Sequence, residues 1–169
     1  MNYFELFDIP VTLKVDKAVL YKKFIELSKL YHPDYFATQG VEKQAESLDI
    51  SASLNKGWKI FQNPDDTIRY VLQIKGMLEE EEKYQLPNSF LMQMMEINEQ
   101  LADAQDEPAI DELRSSLENL QNDIYEPVKK IVEGYQEGIT PPEELLPVKE
   151  YYFKKKYLNR IRQQLNGKA

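Results

Sequence analysis

Apolar residues recur along this chain at spacings of three and four, and nowhere does the two-residue alternation of a strand persist. Hairpin dipeptides between apolar runs are missing as well. The pattern predicts an all-α protein. A short helix over Tyr3–Phe7 ends before Pro10. Asp16 is placed to cap the next helix, with Val15 and Leu20 able to form a hydrophobic staple. In that helix Leu20, Phe24, Leu27 and Tyr31 form one apolar stripe, which stops at Pro33 because proline disfavours helix in the residue before it. After a loop around Gly40, a third helix over Val41–Phe61 offers Leu48, Ala52, Leu54, Trp58 and Phe61 as core. Asn63-Pro64-Asp65-Asp66 breaks it and caps a fourth helix reaching Lys75.

Beyond a stretch at 76–86, which reads as a linker, the helices lengthen. Asn88 or Ser89 is placed to cap a helix from Phe90 to Ala104, and Pro108 suits the first turn of the next. There Ile110, Leu113, Leu117, Leu120, Ile124, Val128, Ile131 and Tyr135 predict one long helix, kinked at Pro127 and ended by Gly138. A last helix starts after Thr140-Pro141-Pro142, or after Pro147, and runs to Leu165. Three helices with short connections imply an antiparallel bundle over 87–169, separate from a first domain over 1–75.

Charge supports this division. Residues 1–75 carry ten Lys/Arg and ten Asp/Glu, whereas 76–169 carry eleven against nineteen, which accounts for the whole net charge of −8. An acidic second half argues against nucleic-acid binding there, because phosphate contacts need a basic face. Glu79 to Glu82 form a like-charge run of the kind that is normally solvated. Cysteine is absent, which excludes disulfides, thiol catalysis and cysteine-held zinc or iron–sulfur centres in this chain. No uncharged stretch approaches the roughly 18 residues that span a bilayer. The opening Met1-Asn2-Tyr3-Phe4-Glu5 lacks a basic n-region and a long apolar run. The expectation is a cytoplasmic protein that does not engage membranes.

The candidate chemistry begins at His32, the only histidine, followed by Pro33 and Asp34. On the helix before it, Lys22 and Lys29 fall about 180–200° from the apolar stripe, two turns apart on the solvent face, with Lys23 beside them. An amphipathic helix, this turn, then Leu54-Asn55, Trp58 and Phe61 on a second helix and a break at Pro64 together resemble a J-domain. The opening Tyr3-Phe4-Glu5-Leu6-Phe7-Asp8-Ile9-Pro10 is similar to the first helix of that family. The resemblance implies a helical hairpin that binds a DnaK-type ATPase chaperone and accelerates its ATP hydrolysis. It implies that Lys22, Lys23 and Lys29 meet an acidic face of that chaperone, and that His32, Pro33 and Asp34 contact the region joining its ATPase and peptide-binding parts. A basic face steers such an encounter. A carboxylate on a rigid turn can form a charge-assisted bond to an arginine. The chain departs from the family where Tyr35-Phe36 follows the aspartate in place of a frequent lysine. It departs again where Arg69 is displaced from a common Arg-Ala pair, and where Gly57 stands in place of alanine, a change expected to weaken the helix by up to ~1 kcal/mol.

The run Phe90–Leu101 holds too many apolar residues for one stripe. Phe90, Met94, Ile97 and Leu101 can serve a core. Leu91, Met92 and Met95 then point elsewhere, flanked by Glu96 and Glu99, either as an exposed docking patch or as packing beneath other helices. With its J-domain, short linker and acidic bundle, the chain resembles the HscB family, the co-chaperones of iron–sulfur cluster assembly, over essentially its full length. That resemblance implies a scaffold-binding site of Leu91, Met92, Met95, Glu96, Glu99 and Asp103, completed by an aromatic on the last helix. Tyr157 is the best match for that aromatic, with Tyr151, Tyr152 and Phe153 as alternatives. The implied partners are a DnaK/HscA-type chaperone and an IscU-like cluster scaffold, with no small-molecule substrate, cofactor or metal. The alternative reading is a general J-domain co-chaperone whose bundle binds unfolded clients. An enzyme is disfavoured, because one histidine, no cysteine and no glycine-rich phosphate loop leave little from which to build a site.

Overall fold

The computed structural model describes residues 1–168, and within them the regular structure is helical throughout. In order these elements are α1 (Tyr3–Leu6), α2 (Lys17–Leu30), a 3-10 turn (Pro33–Phe36), α3 (Val41–Gln62), α4 (Pro64–Ile74), α5 (Asn88–Asp103), α6 (Glu107–Tyr125), a 3-10 turn (Glu126–Val128), α7 (Lys129–Gly134), a 3-10 turn (Pro142–Glu144) and α8 (Leu145–Asn166). The chain divides into two compact units. One comprises Met1–Gly76 with Tyr135–Thr140, the other Met77–Gly134 with Pro141–Ala169.

In the first unit the helix ends follow local chemistry. Asn2 and Glu5 form a reciprocal capping box on α1. The Asp16 side chain caps α2 by accepting from the amides of Ala18 and Val19. Asn63 ends α3 and starts α4, where its side chain accepts from the amides of Asp65 and Asp66. The core of this unit is aromatic. Phe24 stacks on Trp58 at 4.4 Å between ring centroids, and Phe61 lies 4.7 Å from Phe4 and 5.7 Å from Phe7. The backbone N–H of Tyr3 donates to the Tyr70 hydroxyl at 2.9 Å, tying α1 to α4.

Two expected core positions are corrected. Leu48 and Ala52 are exposed. The buried stripe of α3 is Ser47, Leu54, Gly57 and Phe61, and Leu48 and Ala52 lie on the opposite side of the helix from it. Gly57 also proves to be a close-packing position. A Cβ there would stand 2.8 Å from Phe7 Cε2 and 3.1 Å from the Tyr3 ring, so glycine is what lets α1 lie against α3.

In the second unit α5, α6 and α8 share a core of Phe90, Met94, Ile97, Leu101, Ile110, Leu113, Leu117, Leu158, Ile161 and Leu165. Neither Asn88 nor Ser89 caps α5. Pro87 occupies the cap position without a side-chain bond, and the helix starts at Asn88. At the other end of α5, the Lys168 ammonium donates to the carbonyls of Leu101 and Ala104, where a cation also suits the helix dipole. Asp106 caps α6 by accepting from the Ala109 amide, with Pro108 in the first turn as expected. The long kinked helix anticipated from Ile110 to Tyr135 is instead two helices. Pro127 lacks an N–H and its ring clashes with the preceding turn, so the chain passes through a 3-10 turn before α7.

Tyr135–Thr140 belongs to the first unit. There Glu137 accepts from both the Lys75 ammonium and the Tyr135 hydroxyl, the latter at 2.7 Å. Burial, and then that bond, push the Tyr135 hydroxyl up to about 12. The stretch 76–86 is not an open tether. Leu78 and Leu86 are buried, Tyr84 stacks on Phe153 at 4.7 Å, and Glu82 pairs with Lys149 at 2.7 Å.

Candidate functional site

The two groups of candidate residues fall in different units. In the first unit, α2 closes at Tyr31, whose N–H still bonds back to Leu27. Pro33 then opens the 3-10 turn with His32 as its cap residue. The Tyr31 carbonyl accepts from Ser51 Oγ of α3 at 3.1 Å, and the Tyr35 N–H donates to the His32 carbonyl at 3.1 Å. The turn is thus held from both sides.

His32 Nδ1 accepts from the Asp34 backbone N–H at 3.2 Å. That bond uses the Nδ1 lone pair, so the neutral ring carries its proton on Nε2 and presents a donor away from the backbone. The Asp34 carboxylate lies 3.6 Å from Nδ1, and the two side chains are 53% and 89% exposed. The result is a donor and an acceptor on one rigid, exposed turn.

Lys22 and Lys29 are exposed on α2. Lys23 differs from them. It is half-buried and pairs with Asp8 at 3.3 Å, so part of its charge is already engaged.

In the second unit, α5 sorts its apolar residues by face. Phe90, Met94, Ile97 and Leu101 enter the core, while Met92 and Met95 remain 66% and 63% exposed. Met92, Met95, Glu96, Glu99 and Asp103 lie within an arc of about 100° opposite the core side. The three carboxylates of that arc are exposed too. Leu91 is set to one flank, half-buried, where it lines a shallow hollow with Phe153 and Tyr157 of α8. Phe90 meets the Tyr157 ring edge-on at 6.1 Å.

The last-helix aromatic is therefore shared. Phe153 and Tyr157 both reach the hollow, whereas Tyr151 is buried in edge contact with Tyr125 and Tyr152 does not line it. Tyr84, Lys156 and Arg160 also line the hollow, and the sequence reading did not single them out. The signal for the two cations was their spacing on α8: positions 153, 156, 157 and 160 fall on one helix face. No local signal marked Tyr84, which lies in a segment that reads as linker.

Among the described residues no group of three or more His, Cys, Asp or Glu could hold a metal ion, and no helix is long and apolar enough to cross a membrane.

Comparison with known proteins agrees with the all-helical fold. A family profile described as the HSCB C-terminal oligomerisation domain matches residues 86–166. The Co-chaperone protein HscB homolog of Pseudoalteromonas atlantica is 37% identical over 133 residues, covering 78% of this chain and 74% of that protein. The human Iron-sulfur cluster co-chaperone protein HscB is 30% identical over 152 residues, covering 89% of this chain and 64% of its own longer length. The crystal structure of human co-chaperone protein HscB overlays 99% of this chain and 82% of its own with a TM-score of 0.83 at 28% identity. The Vibrio cholerae chaperone HscB shares the fold with a TM-score of 0.73. The identity to the Pseudoalteromonas protein over most of both chains, with an overlay that runs through both units, means that this chain belongs to the HscB family of co-chaperones.

Proposed function

We propose that this protein serves iron–sulfur cluster protein maturation by holding an IscU-like scaffold on its second unit and bringing it to a DnaK/HscA-type chaperone through its first. In this reading the chaperone meets Lys22, Lys29 and, less fully, Lys23 along α2. His32, Pro33 and Asp34 then engage the join between its ATPase and peptide-binding parts. The exposed carboxylate of Asp34 is suited to an arginine, and the His32 Nε2–H to a carbonyl or carboxylate. The hydrolytic chemistry belongs to the chaperone.

The scaffold docks on α5 and the adjoining face of α8. Leu91, Met92 and Met95 supply adaptable apolar contact, Glu96, Glu99 and Asp103 supply charge, and Phe153 and Tyr157 shape the flanking hollow. The observation that carries this reading is the solvent-facing pair Met92 and Met95 on a helix whose core needs are already met by four other residues. An apolar pair left in solvent beside carboxylates fits one specific partner better than the broad groove an unfolded client requires. Tethering both partners to one chain raises the effective concentration of scaffold at the chaperone.

Replacing Leu91, Met92 and Met95 by alanine tests the assignment. Scaffold affinity measured by calorimetry should fall by about a hundredfold or more, as expected for loss of a hot-spot cluster. The basal stimulation of the chaperone ATPase should survive. Unchanged scaffold affinity would place the docking site elsewhere.

A further inference from the structure

The hollow beside Leu91 has a second electrostatic character, opposite to that of the α5 arc. Lys156 and Arg160 stand four residues apart on α8 and line it together with Leu91, Phe153 and Tyr157. Both are exposed and neither has a carboxylate partner among the described residues. The nearby acid does not neutralise them. Glu82, which also lines the hollow, is held by Lys149 at 2.7 Å, and Lys149 in turn lies 5.8 Å from the Tyr84 ring centroid. Lys154, two positions before Lys156, is likewise engaged, at 3.4 Å from Glu150 and 5.5 Å from the Phe90 ring.

Two cations side by side, with no carboxylate partner among the described residues, are notable in a unit whose Asp and Glu outnumber its Lys and Arg. The hollow offers about 310 Å³, room for a side chain or two. Its aromatic walls suit an apolar group, and its rim suits a carboxylate.

We propose that Lys156 and Arg160 form the acid-recognising rim of the docking site, and that the partner inserts a short segment there carrying an apolar anchor with at least one flanking carboxylate. This rests on the docking reading of α5 given above. Complementarity then runs in two directions across one surface. The partner offers carboxylates to α8 and cations to Glu96, Glu99 and Asp103 of α5. A split of this kind fixes orientation, because a partner rotated on the apolar patch meets like charge on both sides.

The test uses the full chain and the iron–sulfur scaffold protein of the same cell. In the Lys156→Glu/Arg160→Glu variant, scaffold affinity should fall about tenfold or more, and its dependence on salt should flatten. The Lys156→Gln/Arg160→Gln variant should fall between that and the wild type. Thermal melts check that both variants fold. Alanine at Leu91, Met92 and Met95 serves as the parallel arm. If that arm loses binding while the glutamate variant binds as the wild type does, the rim assignment is overturned and the α5 site stands. If the alanine arm binds normally, the α5 site is overturned, and the rim with it. Sedimentation separates a third occupant: wild-type self-association abolished by Lys156→Glu/Arg160→Glu, with scaffold binding intact, would assign the rim to a second copy of this chain and overturn the proposal.

Discussion

At the scale of single residues, His32 is defined by what its ring bonds to. Nδ1 is committed to the Asp34 amide at 3.2 Å, so the side chain both shapes the turn and offers Nε2 to solvent. Glutamine can keep some of the first role but cannot present the same donor at the same point. His32→Gln should therefore abolish stimulation of the partner's ATPase while circular dichroism and the melting temperature stay near wild type. Full stimulation by the folded variant would remove His32 from the contact.

Gly57 supplies the opposite lesson. Helix propensity alone says that alanine would stabilise α3 by up to ~1 kcal/mol. Packing says otherwise, because the new methyl would meet Phe7, which is fully buried and cannot withdraw. Overpacking of this kind costs ~1–3 kcal/mol, so Gly57→Ala should lower stability in a urea titration. An increase would show that α1 shifts at little cost.

At the scale of elements, periodicity located most helices but not their neighbours. The α2 stripe and the four core residues of α5 were legible because each helix buries a single face at the 3.6-residue period. Leu48 and Ala52 misled because they are apolar at a permitted spacing, yet the face of α3 that meets its neighbours is selected by Gly57, whose signal is the absence of a side chain. Pro127 was legible as a disruption, but whether it kinks or splits a helix depends on packing that a sequence does not display. The 76–86 stretch was read from its acidic run, and the ion pair of Glu82 with Lys149 joins residues too far apart in sequence to be paired by inspection.

That pair carries a pH signature. The hydrogen bond from Lys149 holds the Glu82 carboxyl below its ordinary value of 4.5. Its contribution is therefore fully present above that value and is lost as pH falls through the lowered native one. Glu82→Gln should be less stable than wild type at pH 7 in urea, and the difference should shrink toward pH 3. A difference that stays constant across that range would mean the charge of Glu82 contributes nothing.

At the scale of the whole molecule, one chain carries two exposed surfaces on two units, each with the residue types of a protein-docking site. The residues of the first lie close together in the sequence, on one helix and the turn after it, although the pairing of Lys23 with Asp8 was not legible there. The second was only partly legible, since the hollow is assembled from Leu91 on α5, Tyr84 before it and about two turns of α8. In the proposed function the two surfaces work together. The most direct measurement is the steady-state ATPase rate of the same cell's DnaK/HscA-type chaperone with this protein, with its cluster scaffold, and with both. The rate with both should exceed the sum of the separate increments, and should fall to the additive level when Leu91, Met92 and Met95 are alanine. Simple additivity with the wild-type chain, or synergy unchanged in the alanine variant, would contradict the proposed function.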